Sequence, residues 1–256
     1  MLCPRHVADF AETLFFSAIM GLSIYVSLPV IFYRRRGERA TRLLVAVAVG
    51  ILIFLMADVF SDAASILYSA NSFYGYGSSP FYDLTFMVSL SAGFLALCYF
   101  ENRSKESLTP ARLSLIIALG IGFQNLTEGL VFGALGVALG LTGVTLVVLV
   151  GFTFQNMTEG FPIASPFLGK VERKTGVLLG LFFVGGIPTV LGGAAGYYYS
   201  STVFDVIFDG AAIGSILYVI LPMLKNLFKE SDGASQRAVY LGIFLGFVLG
   251  SLVNLV

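Results

Sequence analysis

The sequence predicts an all-α integral membrane protein with eight transmembrane helices, and three observations predict it. The chain is 57% hydrophobic and only 12% charged over 256 residues, with a mean hydropathy of +0.90, whereas a soluble domain carries about a quarter charged residues. Its apolar residues fall into eight long continuous runs, which argue for helices; barrel strands would alternate. Its basic residues fall almost entirely in alternate connections between those runs.

Taken in order, the spans are about 10–33, 42–62, 81–100, 111–133, 141–168, 175–199, 203–224 and 238–256. The first is longer than a signal-peptide core of about 7–15 residues. It runs into Arg34, Arg35 and Arg36 without a small-residue cleavage site, so it is expected to be a retained span. Span 2 carries Asp58 and Asp62, and a Gly-, Ser- and Tyr-rich connection leads to span 3. Between spans 4 and 5, residues 134–142 hold no charge, and Gly136 and Gly140 are expected to make a tight connection. Pro162 and Pro166 are expected to bend span 5 and free the carbonyls of Thr158 and Pro162. Span 6 contains Gly185-Gly186-Ile187-Pro188 followed by Gly192, Gly193 and Gly196, a pattern for a tightly packed or kinked helix. The connections are short, so residues 1–256 read as a single polytopic membrane domain.

Of the fifteen lysines and arginines, only Arg5 falls outside the 1–2, 3–4, 5–6 and 7–8 connections. The positive-inside rule makes those connections cytoplasmic and both termini extracytoplasmic, as expected of a multi-pass protein of the cell membrane. Asp9, Glu12, Asp58, Asp62, Asp83, Asp205 and Asp209 then come out near the outer face. Such acids either form a rim that concentrates cations or are ordinary helix-end residues. Asp58 and Asp62 stand out because they are four apart on one helix face. A formal net charge of zero says nothing about nucleic acid, and no basic tail is present to bind it, so no nucleic-acid partner is expected. The two cysteines, Cys3 and Cys98, are expected on opposite sides of the bilayer, with no mutual disulfide.

Spans 4 and 5 share a repeated phrase, Phe123-Gln124-Asn125-Leu126-Thr127-Glu128-Gly129 and Phe154-Gln155-Asn156-Met157-Thr158-Glu159-Gly160. A short turn between the spans makes the copies an inverted repeat, the device that places substrate sites at mid-membrane in transporters. At 1.5 Å per residue, Gln124 lies about 16 Å inward from Leu113, and Gln155 about 20 Å from Leu141. Gln and Glu, four apart, share a face in each copy. Two such faces turned together put two carboxylates and four amides around one point.

Two carboxylates neutralise a divalent cation, and amide oxygens fill further coordination positions. The sole histidine, His6, lies outside the spans. Oxygen-only ligation suits Mg²⁺, Mn²⁺, Ca²⁺ and Fe²⁺, and carboxylates also bind Zn²⁺. The amides could instead serve as hydrogen-bonding glue between helices. Buried glutamates with no lysine or arginine partner in any span fit that role poorly.

These residues resemble the ZIP family of divalent-metal transporters, whose eight helices carry motifs of the form His-Asn-x-Pro-Glu-Gly on helices 4 and 5. Asn125, Glu128 and Gly129 match the first motif, and Asn156, Glu159 and Gly160 the second. Gly186-Ile187-Pro188 resembles the family's helix 6, and Ala211 to Leu221 its helix 7. Gln124 and Gln155 stand in place of the motif histidines, Thr127 and Thr158 in place of its proline. Thr189 stands where many members carry a glutamate. The resemblance implies inward transport of a divalent cation of the Zn, Fe or Mn class, with no organic cofactor. It implies Gln124, Asn125, Glu128, Gln155, Asn156 and Glu159 as the metal site, holding one ion or two, and allows a homodimer. Asp58 and Asp62 would be outer-approach or auxiliary ligands. An enzyme is not expected: neither a HExxH-type zinc motif nor a Ser/His pair is present. The alternative is a non-transporting membrane sensor or scaffold that binds a metal.

Overall fold

The computed structural model describes residues 8–29, 37–68, 80–102, 109–168, 175–199, 201–229 and 233–253. Each predicted span contains a helix: α1 (Phe10–Leu22), α2 (Glu38–Tyr68), α3 (Pro80–Asn102), α4 (Pro110–Leu139), α5 (Gly143–Ala164), α6 (Thr175–Tyr198), α7 (Thr202–Phe228) and α8 (Gly233–Val253). Short 3₁₀ turns, Ser23–Ser27 and Ser165–Phe167, follow α1 and α5. No strand occurs among the described residues. Six helices are long and apolar enough to cross a membrane: α1 with its 3₁₀ turn, α2, α3, α4, α6 and α7. The apolar part of α8, Gln236–Leu252, is shorter, and α5 has its hydropathy lowered by the polar motif. Rows of exposed apolar side chains, such as Leu84, Met87 and Leu95 on α3 and Leu241 and Phe244 on α8, suit a hydrocarbon surround.

Several boundaries differ from the sequence expectation. Helix α2 runs past Asp62 to Tyr68 because Ala63 and Leu67 continue its buried face. Helix α4 passes straight through Gly136 and stops at Gly140, whose φ of 66° ends the helix at the tight connection to α5. Helix α5 stops at Ala164, and the carbonyl of Pro162, expected to be freed, accepts the Ser165 hydroxyl at 2.9 Å. Cys3, His6 and the arginines and lysines at 34–36, 103, 105, 170, 173 and 174 lie outside the described residues.

Glycines set the packing. A Cβ on Gly129 or Gly133 of α4 would strike the carbonyl of Thr189 or Gly193 on α6, and one on Gly196 the carbonyl of Leu130. Gly50 and Gly246 join α2 to α8 in the same way, and Gly93 and Gly214 join α3 to α7. Residue numbers rise together across each of these three contacts, so each pair is parallel. By contrast, Ser17 meets Gly193 while Gly21 meets Gly186, which makes α1 antiparallel to α6. Helices α1, α4, α5 and α6 form one group and α2, α3, α7 and α8 a second. The groups meet mainly where α4 lies along α7, with Gly120 against Ser215 and Ile216.

The outer acids now separate by role. Asp9 Oδ1 accepts the Glu12 backbone N–H at 2.7 Å and Glu12 Oε2 accepts that of Asp9 at 3.0 Å, so the two form a capping box for α1. Asp83 and Asp205 sit in the first turns of α3 and α7, where the helix dipole favours a negative charge. Asp58, Asp62 and Asp209 lie beyond the first turn and serve no helix end.

Candidate metal centre

The antiparallel packing of α4 on α5 is set below the motif by Ser114, whose hydroxyl donates to the Ile163 carbonyl at 2.6 Å. About three turns further along α4, the two copies of the repeat meet. Asn125 Nδ2 donates to Asn156 Oδ1 at 2.7 Å and to the Gly185 carbonyl of α6 at 2.9 Å, which fixes the orientation of the Asn125 amide. Asn156 Nδ2 in turn donates to Phe152 O at 3.0 Å and to Glu128 Oε2 at 3.2 Å. Gln124 Nε2 donates to Glu128 Oε1 at 2.9 Å, the i, i+4 contact expected from the spacing. Both oxygens of Glu128 are therefore occupied by amide N–H groups.

The second copy departs from the first. Gln155 Nε2 donates to Asp58 Oδ2 of α2 at 3.2 Å rather than to Glu159. Glu159 is 0% exposed, and neither of its carboxylate oxygens has a hydrogen-bond partner. Asn125 and Gln155 lie beside it without reaching hydrogen-bond geometry. Gln124 Oε1 and Asn125 Oδ1 are likewise buried and unpartnered. Buried polar atoms are nearly always satisfied, so a cluster of orphans needs an account. Here all four are acceptor oxygens, and no lysine, arginine or histidine among the described residues pairs with Glu128 or Glu159. What would complete these acceptors is a hydrogen-bond donor or a cation.

All six residues predicted from the repeat are buried in this region: Gln124, Asn125, Glu128, Gln155, Asn156 and Glu159. Glu128 interacts electrostatically with Glu159, Asp58 and Asp62. Asp58 is half-buried and enters the centre through Gln155, whereas Asp62 is exposed one turn further out. Among the described residues no three His, Cys, Asp or Glu side chains converge as a metal cage by themselves. A metal bound here must take amide oxygens as well as carboxylates. Thr189 is fully buried against Gly21 of α1, and its hydroxyl has no partner. Sequence reasoning placed Asp209 among the outer acids, but the structure buries it to 2% exposure. It is the eighth residue of α7, beyond the first turn, but nothing in the sequence gives its burial. No protein-family model matches the chain, and a search of the curated proteins finds no relative.

Proposed function

We propose that this chain is a ZIP-like transporter that moves a divalent cation of the Zn, Fe or Mn class into the cytoplasm. Glu128 and Glu159 would be the principal ligands, with Gln124, Asn125, Gln155 and Asn156 completing the shell. The observation that carries the reading is the set of buried, unpartnered oxygens on Glu159, Gln124 and Asn125. Hard and borderline cations take such oxygens, and two carboxylates balance the charge of M²⁺ in a medium where neither is easily left alone.

The packing directions support eight alternating crossings. Even-numbered α2, α4, α6 and α8 contain the parallel pairs α2–α8 and α4–α6, while α3 runs parallel to α7. With the basic connections inside, both termini lie outside. The division into two four-helix groups suits alternating access: the group holding the repeat would move against the group holding Asp58. On the inner side, Ile117, Ile121, Ile163 and Ile216 are almost fully buried. Along their helices they fall between the motif and an inner cavity of about 280 Å³ lined by Arg42, Leu113, Ser165 and Asn226. An ion does not cross such an apolar layer unaided, so release requires it to open.

Uptake of radioactive Mn²⁺ into proteoliposomes tests the reading. Wild type should accumulate the ion, and Glu128→Ala and Glu159→Ala should not; wild-type rates in either variant would overturn the assignment. The predominantly apolar layer favours, as a second reading, a sensor that binds a cation without passing it. Stoichiometric Mn²⁺ binding without uptake would select that one.

A further inference from the structure

A divalent cation leaving the centre gains nothing from a guanidinium, yet Arg42 lines the inner cavity of about 280 Å³. The cavity stands where four helices begin or end. Thr41 and Arg42 lie near the start of α2 and Leu113 in the first turn of α4, while Ser165 follows α5 and Asn226 is close to the end of α7. Helix ends of a membrane-spanning bundle lie near headgroup level, where charge is tolerated. The volume is at the small end for a ligand site, enough for one polar headgroup and too little for acyl chains as well.

The lining is divided. Leu113, Met223 and Leu227 are buried and make an apolar wall. Thr41, Arg42 and Asn226 bring a hydroxyl, a guanidinium and an amide, and no acid lines the cavity among the described residues. Its surroundings in the chain are basic as well: Arg39 precedes Arg42 by three residues, Arg112 adjoins Leu113, and Lys225 adjoins Asn226. The carboxylate that Arg42 holds, at 2.7 Å, is that of Glu38, whose side chain is 77% exposed against 20% for Arg42. An i, i+4 pair with so exposed an acid contributes little. A guanidinium matches two phosphate oxygens at once, so a phosphate can join or displace that carboxylate. Basic pockets between transmembrane helices at this level take lipid headgroups for the same reason.

We propose that the inner cavity binds the phosphate headgroup of an anionic phospholipid, with Arg42 as its principal contact and Thr41 and Asn226 as further hydrogen-bonding groups. The apolar wall and the position at the helix ends favour a lipid over a soluble phosphate, because acyl chains can stay in the bilayer while the headgroup enters. Residues from both helix groups line the cavity, α2 and α7 from one, α4 and the turn after α5 from the other. A bound headgroup therefore touches both and biases how they sit against each other. Binding there does not depend on the metal centre.

The test is native mass spectrometry of the purified full chain in detergent, titrated separately with phosphatidylglycerol, phosphatidylcholine and glycerol 3-phosphate. The first phosphatidylglycerol should bind about tenfold more tightly than either of the others, and Arg42→Gln should weaken it by about tenfold or more. Thr41→Trp, which fills the cavity and alters no charge, should weaken it too, and keeps the test decisive if the Arg42 variant does not fold. Glu38→Gln breaks the same ion pair as Arg42→Gln but should bind phosphatidylglycerol at least as tightly as wild type. Arg39 is exposed and does not line the cavity, so Arg39→Gln should change the affinity by less than about threefold. Equal binding of phosphatidylcholine, or equal losses with Arg39→Gln and Arg42→Gln, means diffuse attraction to a basic face and overturns the site. Glycerol 3-phosphate binding as tightly as the lipid overturns the choice of a lipid. No arm uses Mn²⁺, so a failure here leaves the transporter reading to its own test.

Discussion

Asn125 and Asn156 occupy the same place in the two copies of the repeat and are hydrogen-bonded to each other, Nδ2 to Oδ1, at 2.7 Å. The inverted repeat thus closes on itself through an identical pair of side chains. The bond also breaks the symmetry, since only one of the two can be the donor. Asn125 gives its amide hydrogens to Asn156 and Gly185, and Asn156 is left to serve Glu128.

Breaking this bond should cost both stability and function. Asn125→Ala leaves the Gly185 carbonyl and Asn156 Oδ1 without their donor in a buried setting. A loss of about 1–3 kcal/mol is expected, read as earlier thermal unfolding in detergent, together with reduced Mn²⁺ uptake. An unfolding temperature equal to wild type would mean that the asparagine pair does not join the helices.

The two glutamates should differ when no metal is present. Glu128→Gln turns an N–H group toward donors already supplied by Gln124 and Asn156 and should destabilise the chain by about 1–3 kcal/mol. Glu159→Gln removes a charge whose oxygens have no partner and should leave stability unchanged or raised. Added Mn²⁺ at a hundred times its dissociation constant should protect wild type by about 2.7 kcal/mol and neither variant to that extent. Thermal unfolding with and without Mn²⁺ measures all of this.

Gln124 contributes a buried, unpartnered Oε1 to the centre. Gln124→His replaces it with imidazole nitrogen, a donor suited to Zn²⁺. Competition between Zn²⁺ and Mn²⁺ for uptake should move toward Zn²⁺; an unaltered ranking would show that this amide is not a ligand.

Helices α4 and α6 should tolerate no added methyl at their contact. Gly129→Ala places a carbon against the Thr189 backbone and should destabilise by at least about 2 kcal/mol, since neither backbone can yield. Gly180→Ala on the open face of α6 meets nothing within 4 Å and should change stability by less than about 1 kcal/mol. The contrast in unfolding temperature checks that the methyl's place, and not the loss of glycine, is responsible.

Much of the helical layout was legible because it rests on properties each residue carries alone. Long apolar runs predict helices wherever the chain lies in hydrocarbon. Boundaries shifted where a polar residue interrupted a run without ending its buried face, as Asp62 does in α2, and where a glycine lay inside a helix, as Gly136 does in α4. The capping role of Asp9 and Glu12 was one of two readings open to sequence, and their hydrogen bonds give it. The burial of Asp209 was not legible, because it depends on which helices cross beside α7.

By itself the sequence determined an apolar helical chain and two chemically equal clusters of amides and a carboxylate, because hydropathy, spacing and repetition are written residue by residue. Tertiary structure alone decided that the clusters are unequal. Helices outside the repeat supply the difference: α6 orients Asn125 through Gly185, and α2 draws Gln155 to Asp58. Those neighbours leave Glu128 satisfied and Glu159 bare. A repeated sequence fixes what each copy offers, and only unrepeated surroundings can make one copy answer differently from the other.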